Sequence, residues 1–266
     1  MNSRLVLITG ASSGIGAATA MLYGGLGRHV LLLARNAGRL EAVAAAIRET
    51  GGTATPVAAN LADAAATSEA AARITCDFGT PDILINNAGI GRWLTLAETS
   101  SEEARETIAV PYLAAFDLTR AFLPGMIARR SGNIVCVTSP AAYLAWPNAS
   151  AYIAARRAVA GLAEALQSEL KGTGISVTLA VLGNVDTPYW EHNPGSLGNV
   201  PRANPRLLPT LTPDEAARAI YGGVERKSLF VVKPGLYRAL FVLNALFPRL
   251  VASQIRRASK SARART

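Results

Sequence analysis

Cysteine is scarce in this chain of 266 residues. Cys76 and Cys136 are the only two, too few for a disulfide framework, and no grouping of cysteine and histidine has metal-ligand spacing. No metal site is expected. Charged residues make up only 17% while hydrophobic ones make up 50%, which excludes a disordered chain. Long apolar runs are missing as well. The longest uncharged stretch near the C-terminus, 239–248, has ten residues and ends at Pro248, whereas a bilayer-spanning helix needs about 20. The residues after Met1 run directly into Leu5-Val6-Leu7-Ile8, so no signal peptide is expected and a reducing cytoplasm is the expected setting.

Acidic residues are absent from one region. Residues 226–266 hold ten arginines and lysines and no acid, so the first 225 residues sum to −1 and the overall +9 belongs to the tail. A domain that reads nucleic acid spreads its basic residues over a folded face. No nucleic-acid partner is expected.

What the sequence does contain is alternation. Segments 4–9, 29–34, 53–58, 82–86, 133–139, 175–181 and 229–232 read as strands, and most are near-continuous Val/Ile/Leu runs, as expected for strands buried on both faces. Segments 14–27, 37–50, 64–77, 102–129 and 151–171 between them read as helices. This order predicts an α/β fold with a doubly wound parallel sheet of about seven strands in three α/β/α layers. The expected division is one catalytic domain over 1–233 and a C-terminal extension over 234–266. Residues 187–211 carry five prolines with Gly195 and Gly198 and read as a long loop over the site. A helix is expected to start at Thr212-Pro213-Asp214-Glu215, which offers an N-cap, a first-turn proline and a capping-box glutamate.

The first strand ends in Thr9-Gly10-Ala11-Ser12-Ser13-Gly14-Ile15-Gly16. Glycines here let the backbone approach a pyrophosphate, which the following helix meets with free N–H groups and its positive dipole end. The spacing is T-G-x-x-x-G-x-G, not the usual dinucleotide fingerprint. Asn86-Asn87-Ala88-Gly89 follows the fourth strand, Ser139 precedes Tyr152 by 13 positions, and Gly183-Asn184-Val185-Asp186-Thr187 follows the sixth. This ordered set, over about residues 4–233, resembles the short-chain dehydrogenase/reductase family.

The resemblance implies a nicotinamide dinucleotide held by Gly10, Ser12, Ser13, Gly14, Ile15 and Gly16. Asn60, Leu61, Asn87, Ala88, Gly89, Gly183, Val185 and Thr187 are implied in the same site. Arg35 stands where an NAD-binding member carries an acid, and a guanidinium there pairs with a 2′-phosphate, so NADP(H) is the expected cofactor. The resemblance makes Tyr152 the acid/base and gives Ser139 the substrate oxygen.

Two positions depart from the family pattern. Arg156 stands four residues after Tyr152, where the family has a lysine that binds the nicotinamide ribose and lowers the pKa of the phenol. Arginine keeps the charge but passes on no proton. Pro111 aligns with the family's relay asparagine, and it leaves the Thr107 carbonyl without its helical N–H partner. Two functions therefore stay open: a ketone/alcohol oxidoreductase, or an NADP(H)-binding protein with other chemistry or none.

Trp93, Tyr143, Tyr189 and Trp190, with Leu197, Leu207 and Leu208, are expected to line an apolar substrate pocket, which suits a lipophilic carbonyl or alcohol. His192 reads as a solvated loop side chain. The tail over 236–265 joins an apolar helix to Arg256, Arg257, Lys260, Arg263 and Arg265. It fits either a peripheral anchor on an anionic membrane surface at the inner face or a helix packed on the body or on another subunit. The family resemblance implies a homodimer or homotetramer through the helices at 102–129 and 151–171.

Overall fold

A computed structural model describes residues 4–200 and 204–263; Arg265 and the side chains of Leu197, Lys260 and Arg263 lie outside the described residues. Seven strands form one parallel sheet: β1 (Leu5–Thr9), β2 (His29–Ala34), β3 (Thr53–Ala58), β4 (Ile83–Asn86), β5 (Gly132–Thr138), β6 (Ile175–Leu182) and β7 (Phe230–Lys233). Their order is β3-β2-β1-β4-β5-β6-β7. Each lies within one residue of the expected run.

The central strands β1, β2 and β4 are almost wholly aliphatic because both faces are covered, whereas the edge strand β3, with Thr53, Thr55 and Pro56, is only partly buried. Leu5, Leu7, Leu31 and Leu33 face one core and Val6, Ile8, Val30 and Leu32 the other, the alternation that a pleated strand imposes. Helices α1 (Gly14–Gly25), α2 (Ala37–Glu49) and α7 (Pro213–Glu225) cover the second face. Helices α3 (Ala64–Phe78), α5 (Ala114–Ala128) and α6 (Ser150–Glu169) cover the first, together with α8 (Leu236–Leu246) and α9 (Pro248–Arg263). Helix α4 (Ser101–Ile108) leads toward α5. The Thr212–Glu215 capping box is formed in both directions.

The expected helix over 102–129 is interrupted. Residues Ala109–Leu113 form a π turn around Pro111, and the Ala114 N–H donates to the Ala109 carbonyl. Proline has no N–H to give Thr107, and the wider turn carries the chain past that gap. Because β1 and β4 are neighbours while β2 lies on the other side of β1, the order in which strands are added to the sheet reverses between β1 and β4. The crevice at their C-terminal ends is where such sheets bind ligands.

Candidate active site

The crevice begins at the end of β1. Thr9 Oγ1 accepts the N–H groups of Asn87 and Ala88, each at 2.9 Å, and Asn87 Nδ2 donates to the Thr9 carbonyl at 3.0 Å. Asn87 thus fastens β4 to β1 beneath the glycine turn. Gly10 and Gly14 adopt φ of 67° and 53°, where only glycine is unstrained. A Cβ on Gly16 would stand 2.2 Å from the Gly10 carbonyl oxygen, and one on Gly14 would stand 2.9 Å from Thr187 Cγ2. These glycine positions leave no room for a side chain.

Ser13 is the N-cap of α1 yet makes no capping bond, and first-turn N–H groups have no acceptor inside a helix. These groups fit a pyrophosphate. Arg35 is exposed at the end of β2, free to meet a 2′-phosphate. Asn60 Oδ1, expected to face the adenine, accepts the Ala62 N–H at 3.2 Å, and Leu61 is core.

Tyr152 and Arg156 lie one turn apart on α6, and both are buried. The guanidinium carbon sits 4.8 Å from the centre of the Tyr152 ring. Its Nη atoms would lie 2.6 and 2.7 Å from a Cβ on Gly89, so that glycine makes the space the guanidinium occupies. Burial works against the Arg156 charge, but the Tyr152 and Tyr189 phenols beside it outweigh burial and hold its pKa above the ordinary value. Burial also raises the Tyr189 pKa, and Tyr152 adds to the rise. Nε of Arg156 is buried without a partner among the described residues. A buried cation with an open donor is costly alone and suits the hydroxyls of a bound ribose.

Thr138 Oγ1 donates to the Arg156 carbonyl at 3.0 Å, which holds α6 to the end of β5. Ser139 follows directly, and its Oγ accepts the Ala141 N–H at 3.3 Å. Thr107 is buried and packs toward Gly91, which also faces the Tyr152 ring. The thiol of Cys136 is pushed up to about 12 by burial and is inert.

The loop over the site is paired at its base, where Val185 bridges Leu211. Asn193 Oδ1 accepts the Gly91 N–H at 2.9 Å and its Nδ2 donates to the Tyr189 carbonyl at 2.7 Å. Ser196 Oγ accepts the Trp93 N–H, and Asn199 Nδ2 donates to the Trp93 carbonyl. Polar side chains hold this loop down. Leu207 is exposed, while Leu208 packs on the core.

Beneath the loop, Trp93 stands 5.6 Å from the Tyr152 ring, 6.2 Å from Trp146 and 6.4 Å from Trp190, centroid to centroid. Trp93 Nε1 is buried without a partner among the described residues. Tyr143 lies elsewhere than expected. Its hydroxyl donates to Glu164 at 2.6 Å and its ring packs on Phe230 and Phe241, because α8 offers aromatic surface on that side. His192 is not purely solvated either, since its ring meets the Arg39 guanidinium. Nothing in the sequence pattern singles out Trp146, Asn193, Ser196 or Asn199. The available signal was that such a loop needs side-chain partners for its backbone.

The short chain dehydrogenase family matches residues 4–195, and the chain belongs to that family. An uncharacterized oxidoreductase of Mycobacterium tuberculosis is 39% identical over 225 residues, 83% of this chain but 63% of that protein. Estradiol 17-beta-dehydrogenase 11 of Rattus norvegicus is 29% identical over 95% of this chain and 83% of that protein. A solved short-chain dehydrogenase from Sphingobium yanoikuyae in complex with NADPH superposes with a TM-score of 0.81 at 28% identity, covering 94% of this chain and 95% of that one.

Proposed function

We propose that the protein interconverts a ketone and a secondary alcohol on a lipophilic substrate, with NADP(H) as cofactor. The observation that carries this reading is the buried Arg156 guanidinium against the face of Tyr152. NADPH, when bound, supplies the hydride for the carbonyl carbon. Tyr152 gives its phenolic proton to the developing alkoxide, and Ser139 donates a hydrogen bond to the same oxygen. In the reverse direction Tyr152 takes the alcohol proton. Arg156 balances the charge Tyr152 acquires and holds the ribose hydroxyls, and its Nε is the open donor for that task.

Arg35 favours NADP(H) over NAD(H) through charge-assisted bonds to the 2′-phosphate. The cluster of Trp93, Trp146, Tyr189 and Trp190 around Tyr152 favours a lipophilic carbonyl. The NADPH complex and the estradiol dehydrogenase among the similar proteins support both choices. For the family's paired assembly, Leu113 and Phe116 offer exposed apolar surface at the start of α5 (46% and 43% exposed). Phe116→Arg is expected to lower the mass seen by sedimentation.

A cofactor-coupled screen of steroid, fatty-acyl and aromatic ketones with NADPH and NADH tests this function. Turnover with NADPH that Tyr152→Phe abolishes supports it. The second reading, cofactor binding without redox chemistry, rests on Arg156 and Pro111 at two relay positions. It is preferred if NADPH binds tightly and no carbonyl is turned over.

A further inference from the structure

Helix α8 is apolar on two sides. Tyr237, Leu240 and Phe241 point into the body and pack on the core. The opposite side is apolar as well. Val242 is 60% exposed and Leu246 67%. The stripe continues past the helix end through Phe247 (56%) and Leu250 (53%), so the body does not cover it. A helix that only docks on its own domain shows one apolar stripe and a polar back.

The charge on this stretch of the chain has one sign. No acid occurs anywhere in 226–266, and Arg249, Arg256 and Arg257 are exposed on α9. Among the described residues no helix is long and apolar enough to cross a membrane.

We propose that this face lies on an anionic lipid bilayer, with Val242, Leu246, Phe247 and Leu250 entering the boundary between headgroups and acyl chains. Arg249, Arg256 and Arg257 meet the lipid phosphates. Apolar insertion beside arginines is the pattern of an in-plane interfacial helix. A second copy of this chain would carry the same positive charge to the same face, and like charges oppose that pairing.

The placement has a consequence for the site. Helix α9 packs against the turn Leu197–Asn199, and Asn199 holds the Trp93 carbonyl at 2.8 Å. The bilayer surface and the loop over the aromatic pocket are thus separated by one helix. A lipid-dissolved substrate reaches the loop without crossing water.

The experiment is flotation of the full-length protein with vesicles of phosphatidylcholine alone and of equal parts phosphatidylcholine and phosphatidylglycerol. Two surface double variants accompany it, Leu246→Gln with Phe247→Gln and Arg256→Gln with Arg257→Gln. Wild type is expected to float with the anionic vesicles and to stay behind with the neutral ones. Removing the two arginines is expected to lower the partition coefficient about thirtyfold, near fivefold for each basic residue at an anionic surface. The Leu246/Phe247 pair is expected to lose binding while keeping its melting temperature. Equal partitioning of all forms overturns the proposal. So does a dimer that the Leu246/Phe247 pair dissolves, with no lipid binding by wild type. Flotation needs no turnover, so it succeeds or fails independently of the redox assignment.

Discussion

The guanidinium carbon of Arg156 lies 4.8 Å from the centre of the Tyr152 ring, on the same face of α6. A cation over a phenol ring is held by the ring's quadrupole and stands ready for the charge the phenol acquires when its proton leaves. Tyr152→Phe keeps the ring and that contact but has no proton to give. Its carbonyl reduction is expected to fall by about 10²- to 10⁴-fold, with NADPH affinity unchanged by fluorescence titration. Arg156→Met is expected to lose both activity and affinity, since it removes the charge and the ribose donors together.

Gly89, itself implied at the cofactor site, tests the same geometry through the space it leaves for Arg156. A methyl group there would lie 2.6 Å from the Arg156 guanidinium, so the guanidinium must move. A misplacement of about 1 Å in a reacting constellation costs about 10²-fold. Gly89→Ala is therefore expected to lower kcat/KM by about that factor, with the melting temperature nearly unchanged. Full activity in this variant would separate Arg156 from catalysis.

The loop over the site opens against its own hydrogen bonds. Asn193→Ala leaves the Gly91 N–H and the Tyr189 carbonyl without their partner, a loss of about 1–3 kcal/mol for each buried group so stranded. Faster proteolytic cleavage within 187–200 is expected, together with a higher KM. Unchanged cleavage would mean that Ser196 and Asn199 alone hold the loop.

The sheet and the glycine turn could be read in the sequence because they follow from local rules. Strands buried on both faces must be continuously aliphatic, and a turn at a phosphate must be glycine. Ser139, Tyr152 and Arg156 were implied by the resemblance to a family, not by a local rule. What stayed hidden depended on contacts between distant residues. Tyr143 is drawn to Glu164 and the α8 aromatics, and nothing near position 143 announces that helix. Asn193 reads as a surface loop residue until Gly91 is found beside it. Pro111 announced a broken helix, but a π turn in place of a kink depends on how α4 and α5 pack.

Near neutral pH, His29 contributes to the pH dependence of stability. Burial lowers the His29 pKa in the folded protein, while its Nε2 lies 2.9 Å from Thr55 Oγ1. The unfolded chain then binds more protons as pH drops below about 6.5, so stability decreases with falling pH from there down to the folded pKa. His29→Gln keeps a polar partner for Thr55 and is expected to flatten the melting temperature against pH across that window. An unchanged slope would assign the effect to carboxylates instead.

Trp93 bears on what the pocket selects. Its side chain is 7% exposed, its ring stands against Tyr152, and its Nε1 has no acceptor. A buried donor left unpaired costs about 1–3 kcal/mol, a cost that a ligand acceptor at that point would remove. Substrates with a second oxygen near the reacting carbonyl should then gain affinity over plain hydrocarbon ketones of equal size. Trp93→Phe keeps an aromatic ring and removes the N–H. It is expected to raise KM about fivefold to a hundredfold for oxygen-bearing ketones, following that same energy, and to leave plain ketones almost unaffected. An equal loss for both classes would mean that Trp93 serves only as packing for Tyr152.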